Sequence, residues 1–353
     1  MIFSQFKHVC LESYALNLPP HEVTSAEIED KLSALYKRIG LPFGTLEKLS
    51  GVKTRYFWES NVRPSTVSTE AAKMAMDEIG FDRSEIGALF NCSVNRDFFE
   101  PATACLVHRN LELPETCMAM DITNACIGFS NGIQMLGSLI EAGVVKAGVI
   151  VTGENISKIT ESSMKLLLDN DNLGRDDLLK ILPTFTLGSG AVAFVLCHDS
   201  IATKKHKILG CVARSATQFN DLCIGNGDFC FTQEENLNPI MHTESQKLIS
   251  SAAKLGGRMW KEASEAYGWT KEDVDHTFCH QVGKQVNEAF YREMGLDIKK
   301  EFTVYQRYGN LISAALPSAF ITGVREKEMK KGDKILFTAF GSGLNSIFTA
   351  LEW

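Results

Sequence analysis

The sequence predicts an α/β protein built from two copies of one unit, each a mixed sheet covered by helices. Three observations carry that prediction. Apolar runs of strand length alternate with amphipathic runs of helix length along the chain. The segment from Gly80 to Val94, GFDRSEIGALFNCSV, recurs as Gly268 to Val282, GWTKEDVDHTFCHQV, at one offset (268 − 80 = 188). Each copy then closes on Gly-Ser-Gly and a strand-like run, Gly188–Gly190 before AVAFVL and Gly341–Gly343 before SIFTALEW.

Taken in order, an opening strand is expected over about Phe3–Tyr14. Thr24-Ser-Ala-Glu27 reads as a capping box before a helix over Ile28–Leu41. Gly51–Trp58 reads as a strand or extended loop, Ser68–Ile79 as an amphipathic helix stopped by Gly80, and Ile86–Val94 as a buried strand. MAMDI, ending at Ile122, runs into a small-residue turn that holds Cys126. Behind it Ile127, Ile133, Leu136 and Ile140 recur at helical spacing. Ala147–Thr152 and Ala191–Cys197 are further strands. Between them, at about 155–186, lies an insertion with two short helical patterns, MKLLLD and DDLLKIL. Its DNDNLG loop is no EF-hand. Leu173 stands where an oxygen ligand is needed, and Lys180 where the closing glutamate belongs. The division is therefore a first half, about 1–200, carrying Cys126 and the insertion, and a second half, about 201–353, carrying His280 and Asn310.

The repeat brings chemistry together. Cys126 precedes a helix start, where free amide hydrogens and the helix dipole favour a thiolate. The offset sets the strand ending at His280 against the one ending at Cys92, and it places Cys126 and Asn310 at matching strand-to-helix turns, the second before a helix over Ile312–Val324. Taken singly, Cys126 reads as a buried structural cysteine, His280 beside Phe278 as a core histidine, and Asn310 after Gly309 as a helix N-cap. Converging through a duplication on one cleft, they read as a site. A thiolate accepts an acyl group from a thioester and releases it again. An imidazole and a carboxamide can donate hydrogen bonds to a thioester oxygen as enolate charge develops. The backbone amides of Cys126 and of Gly343, in Gly341-Ser342-Gly343, are candidates for the oxyanion hole. Gly128-Phe-Ser130-Asn-Gly132 matches G-x-S-x-G by accident, because Cys126, not Ser130, holds the corner. Lys284 reads as a phosphate contact or a solvated lysine, and Glu100, before Pro101, as a surface acid or a general base.

Composition narrows the function. Net charge is −7, from 36 basic and 43 acidic residues without a basic tract, which argues against nucleic acid. No apolar run reaches membrane-spanning length. The opening residues lack the pattern of a signal peptide, and the ten scattered cysteines read as reduced thiols, so a cytoplasmic location is expected. Cys223 and Cys230 form no CxxC pair and no zinc ligand set is apparent; neither a metal nor a resident cofactor is expected.

The motifs Asn124-Ala-Cys126-Ile-Gly-Phe, Cys279-His280-Gln281, Tyr308-Gly309-Asn310 and Gly341-Ser-Gly343-Leu-Asn resemble those of the thiolase superfamily, and within it the ketoacyl synthase III-like condensing enzymes. The resemblance spans essentially the whole chain. It implies a thiolase-like duplicated five-layered αβαβα fold, a homodimer, Cys126 as the acylated nucleophile, and His280 and Asn310 on the thioester oxygen of the second substrate. Glu100, ahead of Pro101 where fatty-acid-initiating synthases usually carry an apolar aromatic, resembles the OleA-type head-to-head condensing enzymes of long-chain olefin biosynthesis. There this glutamate reaches the partner's site as general base. The implied reaction is a non-decarboxylative Claisen condensation of two fatty acyl-CoA molecules to a 2-alkyl-3-keto acid or thioester, with coenzyme A only a part of substrate and product. The alternative is a 3-oxoacyl synthase III taking malonyl groups from acyl carrier protein, which makes its carbanion by losing carbon dioxide and needs no such base.

Overall fold

The computed structural model describes residues 2–225 and 240–353; Cys230 lies outside them. Fourteen strands are present among these residues. In chain order they are β1 Ile2–Gln5, β2 Val9–Asn17, β3 His21–Thr24, β4 Thr54–Phe57, β5 Ile86–Asn91, β6 Met118–Asp121, β7 Ala147–Glu154, β8 Gly190–His198, β9 His206–Ser215, β10 Cys223–Gly225, β11 Met241–Thr243, β12 His276–Cys279, β13 Lys334–Gly341 and β14 Asn345–Glu352. The α-helices are α1 Ser25–Lys31, α2 Ser33–Arg38, α3 Thr45–Ser50, α4 Pro64–Met76, α5 Thr103–Asn110, α6 Gly128–Glu141, α7 Ser157–Asp169, α8 Arg175–Ile181, α9 Ser245–Tyr267, α10 Lys284–Met294, α11 Tyr305–Tyr308 and α12 Ala315–Glu326.

The sheet order shows the duplication. From one edge it runs β6-β5-β7-β8-β2, then β9-β14-β13-β12. Parallel pair β5–β7 in one half corresponds to β12–β13 in the other, and the antiparallel neighbours β8 and β14 correspond likewise. The halves, expected as two sheets, are joined edge to edge where Cys10 pairs with Lys207 and Leu11 with His206.

Between the halves, Phe129, Ile133 and Leu136 of α6 and Leu316, Ala319 and Phe320 of α12 pack in one buried cluster with Phe90 and Phe194 of one half and Phe278 and Phe337 of the other. Outside the first half, α4 and α5 bury Ala71, Ala75 and Val107; outside the second, α9 and α10 bury Leu255, Met259 and Phe290. Helices, sheet, helices, sheet, helices make five layers, with α6 and α12 central because both are apolar on more than one face.

Several expectations are corrected. The opening strand is two: the chain breaks at Phe6–His8, where Glu141 accepts the N–H groups of Lys7 (2.8 Å) and His8 (2.9 Å). This lets β1 pair with β9 while β2 pairs with β8. The capping box at Thr24 forms, but the helix behind it is interrupted at Leu32 into α1 and α2. Helix α4 starts earlier, at Pro64, whose fixed φ and missing N–H suit a first helical position. The insertion forms α7 and α8, and its Leu167, Leu178 and Phe185 pack on Leu35 and Tyr36 of α2. Its acidic loop is met by Arg38, which pairs with Asp171 (2.5 Å) and donates to the carbonyls of Asn170 and Leu173.

Candidate active site

Parallel strands β5, β7, β12 and β13 end on one side of the sheet, and ligands in α/β proteins bind beyond such carboxyl ends. Cys126 follows β6 there. Its predecessor Ala125 has φ +46°, in the left-handed region that costs a non-glycine residue about 1–3 kcal/mol. That strained turn aims the half-buried Cys126 at the start of α6. Gly128 lets the turn close, because a Cβ there would meet the Cys92 carbonyl at 2.6 Å. From the second half, Gly341 at the end of β13 approaches so closely that a Cβ on it would lie 3.4 Å from the Cys126 nitrogen. The Gly341-Ser-Gly343 turn therefore lies against the cysteine.

His280 follows β12, and its N–H donates to the Thr338 carbonyl of β13 (3.1 Å). The imidazole is buried, and Nδ1 has no hydrogen-bond partner among the described residues. Burial lowers its pKa to about 4, so it is neutral at neutral pH, fit to donate one hydrogen bond rather than a proton. Gln281 beside it is locked: Oε1 accepts the Val304 N–H (2.9 Å), and Nε2 donates to the Cys279 carbonyl (2.8 Å) and to Glu301 (3.3 Å). Asn287 also donates to Glu301 (2.8 Å), whose carboxyl burial raises to about 8.

Asn310 is buried, and its main chain is stitched to the first half: its N–H donates to Thr186 (2.9 Å) and its carbonyl accepts from Gly188 (3.0 Å). Oδ1 accepts the N–H of Ile312 (2.9 Å), leaving the NH₂ group as the available donor. Ile312 has φ +56°, strained for a β-branched residue and nearly equivalent to Ala125 in the repeat. The expected strand-to-helix turn is absent here. Asn310 follows the short helix α11, because the counterpart of β6 shrinks to a single bridge between Thr277 and Glu301.

Cys126 and His280 thus each follow the carboxyl end of a parallel strand, Asn310 is held against Thr186 and Gly188, and the Cys126 thiol departs from expectation. Burial raises its pKa well above the usual thiol range; the charges of Cys223 and Glu154 add to this, and a backbone hydrogen bond opposes it. The helix starts two residues on, at Gly128, too far for its dipole to overcome that cost. Glu154, the last residue of β7, was not singled out in the sequence, although it is the one acid in the run AGVIVTGE.

Glu100 stands apart. It is exposed on the loop between β5 and α5 and makes no hydrogen bond or ion pair among the described residues. Its neighbours Phe98 and Phe99 are exposed too, Phe99 by 70%. Lys284 is exposed at the first turn of α10, with Gly51 against its stem. No helix among the described residues is long and apolar enough to cross a membrane.

Comparison with known proteins fits this geometry. The sequence family of 3-oxoacyl-[acyl-carrier-protein] synthase III matches residues 120–216, and its C-terminal family matches residues 264–353. An acyl-CoA:acyl-CoA alkyltransferase of Xanthomonas campestris pv. campestris is 31% identical over 99% of both chains. Its counterpart in Shewanella oneidensis is 32% identical over 99% of this chain and 100% of its own. A β-ketoacyl synthase III of Coxiella burnetii is 26% identical over 83% of this chain and 85% of its own. Cerulenin-bound OleA from X. campestris superposes with a TM-score of 0.92 at 31% identity, over 99% of this chain and 98% of that one. A cysteine-to-serine variant of it, carrying lauric acid and lauroyl-CoA, does so with 0.92 at 30%, over 99% and 100%. The chain belongs to the acyl-CoA:acyl-CoA alkyltransferase family, within the 3-oxoacyl synthase III-like condensing enzymes of thiolase fold.

Proposed function

We propose that the protein joins two fatty acyl-CoA molecules head to head. Cys126 attacks the first thioester, forming acyl-cysteine and releasing coenzyme A. The second acyl-CoA places its thioester oxygen against His280 and the Asn310 NH₂ group. Glu100 of the partner subunit removes an α-proton, and the enolate so formed is held by the two donors. Its α-carbon attacks the acyl-cysteine carbonyl, whose oxygen is met by the N–H groups of Cys126 and Gly343. Collapse expels the Cys126 thiolate and leaves a 2-alkyl-3-ketoacyl thioester, which hydrolysis converts to the acid. Lys284 meets a phosphate of coenzyme A at the start of α10.

What supports this reading is the placing of Cys126 and His280 beyond parallel strand ends, with an acid, Glu100, on an exposed loop beside the exposed Phe98 and Phe99. An acid so placed serves a neighbouring chain better than its own. Exposed Met118 and Met120 on edge strand β6 and Phe98 and Phe99 on the arm form an apolar surface suited to a second copy, which supports a homodimer. The product feeds olefin biosynthesis in the cytoplasm. The test supplies acyl-CoA and labelled malonyl thioester separately and together. Condensed product from acyl-CoA alone, without labelled carbon dioxide, is expected. Product only with the malonyl group would establish the decarboxylative synthase instead.

A further inference from the structure

We propose that Glu154 is a positioning residue whose buried carboxylate ties the Asn310 segment to the root of the Glu100 arm. The proposal rests on the condensation described above and assigns it a further residue.

Glu154 is fully buried at the end of an otherwise apolar strand. A buried carboxylate costs several kcal/mol unless it is well hydrogen-bonded, so on packing grounds alone an aliphatic residue would serve better. Its three partners come from two functional segments. One carboxylate oxygen accepts the Val94 N–H (2.8 Å) and the Ser313 hydroxyl, and the other accepts the Asn95 N–H (3.2 Å). Ser313 lies three residues after Asn310 and one after the strained Ile312. Val94 and Asn95 lie on the same loop between β5 and α5 as Glu100. A single side chain therefore fixes the donor that receives the enolate oxygen and the base of the arm that generates the enolate.

The duplication shows that this acid is not needed by the architecture. The repeat carries Glu154 onto Ser342 (154 + 188 = 342), a neutral residue in the Gly341–Gly343 turn. Among the described residues no lysine, arginine or histidine neutralises Glu154. Its charge is felt at Cys126, where it raises the thiol. Burial also raises the Glu154 carboxyl itself, against the pull of the Ser313 hydroxyl and the amides of Val94, Asn95 and Ser313.

The test compares the full-length wild type with Glu154→Gln and Ser313→Ala. Glu154→Gln removes the charge and one acceptor; Ser313→Ala breaks the clamp and keeps the charge. Three quantities are read: the pH dependence of Cys126 alkylation by iodoacetamide without substrate, acylation of Cys126 by acyl-CoA by intact mass, and condensed product. In Glu154→Gln the alkylation midpoint moves to lower pH, and condensation falls about ten- to a hundredfold relative to acylation. In Ser313→Ala the midpoint stays and condensation falls. An unmoved midpoint in Glu154→Gln, or equal loss of acylation and condensation in both variants, overturns the proposal. If Glu154→Gln does not fold, Glu154→Asp, which keeps the charge on a shorter stem, must lose condensation without moving the midpoint; wild-type condensation there also overturns it. The alkylation shift is read without substrate, so it judges Glu154 even if the wild type makes no product from acyl-CoA alone.

Discussion

Cys126 sits where its charge is least welcome. Burial and the neighbouring Glu154 hold the thiol protonated in the free enzyme, so alkylation by iodoacetamide at neutral pH should be slower than for an exposed cysteine. A rate at or above that of a free thiol would show that the helix start dominates after all. In the proposed reaction His280 is a neutral donor. With its pKa near 4, the condensation rate should show no imidazole step between about pH 5 and 8. His280→Ala should lose about 10²–10³ in condensation while Cys126 still takes an acyl group, since one oxyanion donor is worth about that much. Parallel loss of acylation would place His280 in the first step instead. At this scale the places of Cys126 and His280, each just after a strand, were legible, because apolar runs of strand length end shortly before them. Glu154 and Glu301 were not legible. Nothing in AGVIVTGE or KKEFTV distinguishes an inward acid from a surface one.

Among the elements, the network that holds His280 carries a titration of its own. Glu301 is raised to about 8 by burial, so the folded chain keeps a proton that the unfolded chain loses near 4.5. Its contribution to stability is fully present below about 4.5 and is lost as pH rises toward 8. Urea unfolding at the two ends of that window should show this decline in the wild type and a smaller one in Glu301→Gln; an equal slope would refute it. At the Cys126 turn, Gly128→Ala should destabilise by about 1–3 kcal/mol in the same assay, because its Cβ would press on the Cys92 carbonyl. Unchanged stability would mean the turn can open. Element types followed from apolar periodicity, but several boundaries did not. The break between β1 and β2 carries no glycine or proline and is made by Glu141, distant in sequence. The strand expected before Asn310 is replaced because Glu301 turns inward to Asn287 and Gln281.

At the scale of the whole molecule, one internal repeat located the strand ends before Cys126 and His280, since equivalent strand ends of two copies must face each other across α6 and α12. It could not place Glu100, which is exposed on the loop between β5 and α5. If the exposed aromatics of the arm face a second copy, Phe99→Glu should yield monomers by light scattering and lose condensation, with Cys126 acylation retained; a stable, active dimer would mean the arm faces solvent. The central claim is that one condensing site is assembled from two chains, with Cys126 from one and Glu100 from the other. It is tested most directly by mixing Cys126→Ala and Glu100→Ala subunits after dissociation and reassembly, and measuring condensation of a single acyl-CoA. Each variant alone should be inactive. The mixture should recover about a quarter of the wild-type rate, because half of the dimers are mixed and each of those carries one intact site. A mixture as inactive as its parents, or full activity of Glu100→Ala alone, would contradict the claim.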